Sequence, residues 1–320
     1  MFDHTRAATT TRRCIGALAA VAILAAAACS SDDGGNDGLV VAAAFFPIEE
    51  AAAAVGGDLV EVVGITPPGQ GPHDVQLDPR QVEAIEGADL IFYLGRGFQP
   101  QVEDAAANAG DGTGIDLLDA VELLPVDSQL DGTQGEVDGE VLDGDVDPHV
   151  WLGPARMIAI VDAMVDRLSE IDPDNADTYR SNADSYLADL TGLDGEYQAA
   201  LDDCASRVIV TSHRAFGYLA DQYELRQIPI AGISPEEEPD PRTLEAIANE
   251  AEAEGVTTIF LEELAPPDLA ETVAAEVGAE LSLLDPIEGV TGEQIDDGVS
   301  YASIMRENLE RLVAGLGCSS

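Results

Sequence analysis

The chain has 320 residues, 46% of them hydrophobic, so it can bury a sizeable core and is not a mostly disordered chain. That length exceeds the usual span of one domain and predicts two lobes or one large α/β unit. The formal net charge is −48 and every basic residue is arginine, which argues against nucleic acid or anionic lipid headgroups as partners.

Residues 1–28 have the proportions of a secretory signal peptide. Arg6, Arg12 and Arg13 form a positive region, and the apolar run from Ile15 to Ala28 is too short to span a bilayer. Ala26, Ala27 and Ala28 directly before Cys29 resemble a bacterial lipobox, with Ala26 where leucine is usual. A lipid anchor on Cys29 is therefore expected, holding the protein outside the cytoplasm at the cell membrane. Residues 29–38 are polar and glycine-rich and read as a flexible tether. Without the signal segment the charge is −50, which reads as a solubility adaptation to a salty or alkaline medium. Cys14 leaves with the signal and Cys29 takes the lipid. Cys204 and Cys318 remain, and in an oxidising compartment they read as one disulfide.

From residue 39 the chain alternates apolar runs with helical stretches. Strands are expected over 39–47, 58–65 and 88–95 and near Ile115–Leu118, with helices over 48–57 and 79–86 and after 95. Repeated βα units of this kind make a parallel sheet with helices on both faces. Residues 126–147 break the pattern: they are rich in Asp, Glu and Gly without a helical period and read as a mobile surface loop. Pro154 suits the first turn of a helix running to about Glu170. A longer helical stretch follows over 173–203, with Tyr179, Ala183, Tyr186, Leu187, Leu190 and Leu193 at three-to-four spacing. Gly192 and Gly195 put its continuity in question.

A second βα series starts at 207. Strands are expected over 207–213, 224–232, 256–262 and 279–286, and the chain closes with an amphipathic helix whose stripe is Tyr301, Ile304, Met305, Leu309, Leu312 and Leu316. The expected fold is two Rossmann-like α/β lobes with parallel sheets, residues 39–172 and 204–320, joined by the 173–203 helix. The cleft between them should face the carboxyl ends of the strands.

Three of the four histidines lie beyond the signal segment: His73 in the loop after the second strand, His149 just after the acidic stretch, and His213 at a strand end. Asp285 ends another strand. The intervals are 76, 64 and 72 residues, so only folding can unite the four. Three neutral imidazoles and one carboxylate make a suitable tetrahedral zinc shell. Taken singly, each histidine also fits an ordinary hydrogen-bonded position, and Asp285 before Pro286 also fits the start of a turn. Glu262 and Glu263, after a strand, suit helix capping or support of a ligand imidazole. Trp151 and Phe216 read as wall and core residues.

The segments GPHDVQLDP, DPHVWLGP, TSHRAFGYLADQY, SPEEEPDP and LDPIEG occur in this order. Together they resemble the zinc-type substrate-binding lipoproteins of ABC metal importers, the ZnuA/TroA-like family, over essentially all of residues 39–320. The resemblance implies a receptor rather than an enzyme: a monomer that binds Zn²⁺ in the inter-lobe cleft and delivers it to a membrane permease. It also implies that the linking helix is rigid, that His73, His149 and His213 are the three histidine ligands, and that Asp285 is the carboxylate. Manganese-type relatives carry a carboxylate where His213 stands, and imidazole suits zinc better than manganese, so Zn²⁺ is expected over Mn²⁺. Two features depart from the family pattern. Pro72 precedes the first ligand where several members have Glu, and the acidic stretch contains no histidine. A zinc-dependent hydrolase is the competing class, since three histidines with an open position also describe catalytic zinc. No general base stands at short spacing from a ligand, and a fourth protein ligand leaves no position for an activated water.

Overall fold

The computed structural model describes residues 38–73, 75–126, 146–237 and 239–319. The signal segment, Cys29, nearly all of the tether and residues 127–145 of the acidic stretch lie outside the described residues.

The first sheet contains β1 (Leu39–Ala43), β2 (Val60–Gly64), β3 (Leu90–Tyr93) and β4 (Gly114–Asp116) in the order β2-β1-β3-β4, all parallel. Its helices are α1 (Phe46–Gly56), α2 (Pro79–Glu86) and α3 (Pro100–Ala109). Each of the three begins with a proline in its first turn, where a missing amide costs nothing. Asp78 caps α2 with a full capping box, accepting from the amides of Arg80 and Gln81.

After α4 (Pro154–Ile171) and a 3₁₀ turn over Pro173–Asn175 comes the long α5 (Ala176–Ala200). Its 25 residues rise about 37 Å. Gly192 and Gly195 do not interrupt it. A Cβ at either would meet nothing within 4 Å, so both lie on the open side, where a glycine weakens a helix without breaking it. The opposite side buries Tyr179, Ala183, Leu190, Leu193 and Tyr197.

The second sheet repeats the first. It contains β5 (Val208–Thr211), β6 (Arg226–Pro229), β7 (Thr258–Leu261) and β8 (Glu280–Leu283) in the order β6-β5-β7-β8, again parallel. Its helices are α6 (Gly217–Gln222), α7 (Pro241–Ala253), α8 (Asp268–Val277), the short α9 (Gly292–Asp296) and α10 (Tyr301–Leu316). The sequence pattern does not anticipate α9: five residues are too few to show a helical period. All six residues of the α10 stripe are buried.

One hydrophobic cluster runs through both lobes, from Val41, Phe45 and Phe92 to Phe216, Leu225 and Leu312. A second, smaller cluster sits under α7 and α8. The long helix binds both lobes: Asn182 Nδ2 donates to the Val55 carbonyl at 3.0 Å, and Tyr197 Oη donates to the Met305 carbonyl at 2.6 Å. Glu50 of α1 reaches the second lobe, accepting from the Tyr301 amide at 2.8 Å, and the long helix, accepting from Tyr186 Oη at 3.2 Å. Burial, the largest influence, raises the Glu50 carboxyl above its usual range although both hydrogen bonds pull the other way. Cys204 and Cys318 are joined by a disulfide that ties the end of α10 to the start of the second lobe.

Candidate metal centre

Both sheets turn their carboxyl ends toward one crevice, and the buried polar side chains collect there. His73 follows β2, His149 precedes the 3₁₀ turn Val150–Leu152, His213 follows β5 and Glu288 follows β8. Each lobe thus contributes two. The donor atoms of these four residues lie within 4.8 Å of one another, and all four side chains are buried. Glu288 Oε1 stands 3.1 Å from His73 Nε2, 3.3 Å from His149 Nε2 and 2.9 Å from His213 Nε2, while the Nε2 atoms of His73 and His149 are 3.4 Å apart.

The carboxylate at the centre differs from the sequence expectation. The histidines gather around Glu288 and not around Asp285. Asp285 Oδ1 is engaged by the amide of Ile287 at 2.7 Å, which turns its carboxylate back along its own chain. Burial, the largest influence, pushes Asp285 up to about 6, helped by the carboxylates of Glu263, Glu262 and Glu288 and opposed by the Ile287 hydrogen bond. Asp285 lines a cavity of about 230 Å³ together with His73, Glu262, Glu263, Glu288 and Glu236. It borders the centre without joining it. Both carboxylates lie within the LDPIEG segment, but in a chain with 62 acidic residues no spacing marks one above the other.

Two further carboxylates orient the imidazoles. Asp147 Oδ1 accepts from the His149 backbone amide at 2.9 Å and lies 2.8 Å from its Nδ1. Glu262 straddles Nδ1 of His213 at 2.8 and 2.7 Å, and also accepts from the His213 amide at 3.2 Å. Glu262 follows β7, which lies beside β5, so its side chain meets the residue following the neighbouring strand. It therefore supports an imidazole and does not cap a helix. A proton held on Nδ1 leaves the Nε2 lone pair free, which fixes the tautomer a metal ligand requires. The backbone of His213 is pinned as well: its carbonyl accepts from Thr211 Oγ1 at 2.7 Å and from the buried Gln227 Nε2 at 3.0 Å.

Burial of His213 disfavours its charged form, yet the carboxylates of Glu262 and Glu288 outweigh that effect and hold its pKa well above the ordinary value. Glu288 shows the converse. Burial alone would raise it, but His213 and His73 beside it keep its carboxyl well below the usual range. A divalent cation held here would take the place of a proton on the imidazoles as the partner of Glu288.

Aromatic rings flank the imidazoles. Phe98 meets His73 edge-on at 4.8 Å between centroids, and Trp151 lies 5.2 Å from His149. Trp151 Nε1 donates to the Pro286 carbonyl at 2.7 Å, which links the wall of one lobe to the Glu288 turn of the other. Trp151 and Phe216 are fully buried, in keeping with wall and core roles.

The donor set suits zinc: three imidazoles and one carboxylate, with His149 and His213 held from behind. Relatives agree with that chemistry. The chain is 33% identical over 263 residues to the high-affinity zinc uptake system protein ZnuA of Bacillus subtilis, covering 80% of each chain. It is 32% identical over 261 residues to the zinc-binding lipoprotein AdcA of Streptococcus pneumoniae, and spans about half the length of that protein (52%). Among solved structures, the Zn(II)-bound ZnuA-like domain of S. pneumoniae AdcA superposes with a TM-score of 0.72 at 31% identity, over 87% of this chain and 99% of that one. The laminin-binding protein Lmb of Streptococcus agalactiae, described as bifunctional with adhesin and metal-transporting activity, gives 0.74 at 29% identity, over 87% of this chain and 100% of that one. The family model for ZnuA, the periplasmic component A of zinc-uptake complexes, matches residues 41–315, and the chain belongs to that family.

Proposed function

We propose that this chain is the extracytoplasmic receptor of a zinc importer: it captures one Zn²⁺ with His73, His149, His213 and Glu288 and delivers it to an ABC-type membrane permease. The observation that carries the reading is the convergence of three Nε2 atoms and one carboxylate oxygen from both lobes on a single buried point. Zinc is the cargo, and the chain acts as a receptor and not as an enzyme. With four protein ligands the shell is closed, which suits capture and leaves no coordination position for a reacting water. The third histidine favours Zn²⁺ over Mn²⁺, because manganese prefers harder oxygen donors.

The finer assignments belong to the same reading. Cleavage before Cys29 and lipidation of that thiol would tether the receptor to the cell membrane through residues 29–38. Among the described residues, no helix is long and apolar enough to cross a membrane. The receptor acts as a monomer, with residues 39–172 and 204–320 as its lobes and the 173–203 segment as the link between them.

Metal analysis of protein purified without chelator, followed by competition between Zn²⁺ and Mn²⁺, tests the proposal. One tightly held zinc per chain that excess Mn²⁺ does not displace is the expected result. A chain that takes up no zinc, or that releases it to equimolar Mn²⁺, contradicts it.

A further inference from the structure

The segment that carries Glu288 is held unusually firmly. Asp285 is clamped at both backbone groups by the fully buried Asn308 of α10: its amide donates to Asn308 Oδ1 at 2.8 Å, and its carbonyl accepts from Asn308 Nδ2 at 2.6 Å. The Pro286 carbonyl is held by Trp151. The Ile287 amide is held by Asp285 Oδ1. Two residues further on, Gly289 lies so close to the first lobe that a Cβ there would stand 2.5 Å from the Gln70 carbonyl oxygen, and the Gly69 amide donates to the Val290 carbonyl at 2.8 Å.

Within this clamp the backbone is strained. Ile287 has φ of +55°, one of three non-glycine residues with positive φ among the described residues and the only β-branched one. A β-branched side chain is sterically disfavoured in that region and persists only where its surroundings enforce it. Ile287 is fully buried and lies directly before the carboxylate at the centre of the histidines. Relaxing its backbone to negative φ would swing the next residue away from them.

We infer that Asp285 is a positioning residue for metal capture: its carboxylate oxygen, by accepting from the Ile287 amide, holds the strained turn that aims Glu288 at His73, His149 and His213. Asp285 serves as a hydrogen-bond acceptor in this role and its charge is dispensable. The inference rests on the proposed zinc site and adds to it a residue that does not touch the metal.

Zinc affinity of the mature chain and four variants, measured by chelator competition, tests it. Asp285→Ala removes the acceptor and is expected to weaken zinc binding about 10- to 100-fold, the usual effect of losing an outer partner of a ligand. Asp285→Asn keeps an acceptor oxygen and is expected to bind close to the parent, a rescue that a ligand or a purely electrostatic role would not permit. Adding Ile287→Gly to Asp285→Ala removes the φ penalty and is expected to recover part of the loss. Glu288→Ala supplies the reference for loss of the ligand itself. An Asp285→Asn variant as weak as Asp285→Ala overturns the inference, and so does an Asp285→Ala variant with parental affinity. In either case strong binding by the parent and a large loss in Glu288→Ala would leave the zinc site standing. Failure of the parent to bind zinc would sink both.

Discussion

At the scale of single residues, the centre depends on a division of labour among carboxylates. Glu288 faces the metal position, whereas Asp147 and Glu262 hold the far nitrogens of His149 and His213. Changing His213 to Ala removes one of four ligands and should cost orders of magnitude in zinc affinity, measurable by chelator competition. His213→Glu or His213→Asp should move the preference toward Mn²⁺, and an unchanged metal ranking would undercut the argument from ligand type. Glu262→Gln retains a group able to hydrogen-bond Nδ1 but removes the charge that raises the imidazole pKa. It should narrow the difference in zinc affinity between pH 6 and pH 8, which repeating the titration at both values would reveal.

The three histidines were legible from the sequence because the chain has only four, and one lies in the signal segment. The sequence does not single out Glu288 or Asp147, and it offers Glu262 only beside Glu263, for helix capping or support of an imidazole. They are three among 62 acidic residues, and their roles depend on register between neighbouring strands and on one turn. Asp285 drew attention because it ends a strand before proline, and that same position makes it the start of an Asx turn. A sequence shows which carboxylates lie near a crevice, but the direction of a side chain is fixed by backbone torsion angles, such as that of Ile287.

At the scale of elements, the alternation of apolar runs and helical periods marked all eight strands and the principal helices to within a few residues. Six of the eight strands are shorter than expected at both ends, β1 only at its carboxyl end, and β4 starts one residue early, each strand being three to five residues long. The long helix survives two glycines, since its buried stripe and contacts to both lobes outweigh roughly 1 kcal/mol per glycine. The Cys204–Cys318 bond closes a loop of 114 sequence steps. On the chain-entropy model such a loop contributes up to about 4–5 kcal/mol, and native bonds of this kind typically contribute about 2–4. Replacing both cysteines with serine should lower the denaturant midpoint accordingly while leaving one zinc per chain. The bridge lies just beyond the carboxyl end of α10, whereas Asn308 sits at mid-helix, so a loss of zinc stoichiometry would show that the helix end and the centre are coupled.

At the scale of the whole molecule, a core shared by both lobes and a rigid helix across them argue against wide opening. Small-angle scattering of metal-free and zinc-loaded protein should give nearly equal radii of gyration. The large negative charge should speed capture of a cation, with the association rate falling as salt screens it.

The pH dependence follows from the shifts at the centre. His213 has a raised pKa, so its ion pairing with Glu262 and Glu288 stabilises the metal-free fold below the unfolded value and is lost as pH rises through the folded one. Glu288 has a lowered pKa, so its contribution is present above the unfolded value and is lost as pH falls through the folded one. Zinc competes with the imidazole protons, so the rise in melting temperature on adding zinc should be larger at pH 8 than at pH 6. Zinc binding at neutral pH should release protons to the buffer.

The most direct test of the account is anomalous diffraction at the zinc edge from crystals of the zinc-loaded protein. A single peak is expected, roughly 2.0–2.2 Å from Nε2 of His73, His149 and His213 and from a carboxylate oxygen of Glu288. Asp285 should remain turned toward the Ile287 amide. A peak coordinated by Asp285 with Glu288 turned away, or a zinc outside the four-residue cluster, would contradict the account.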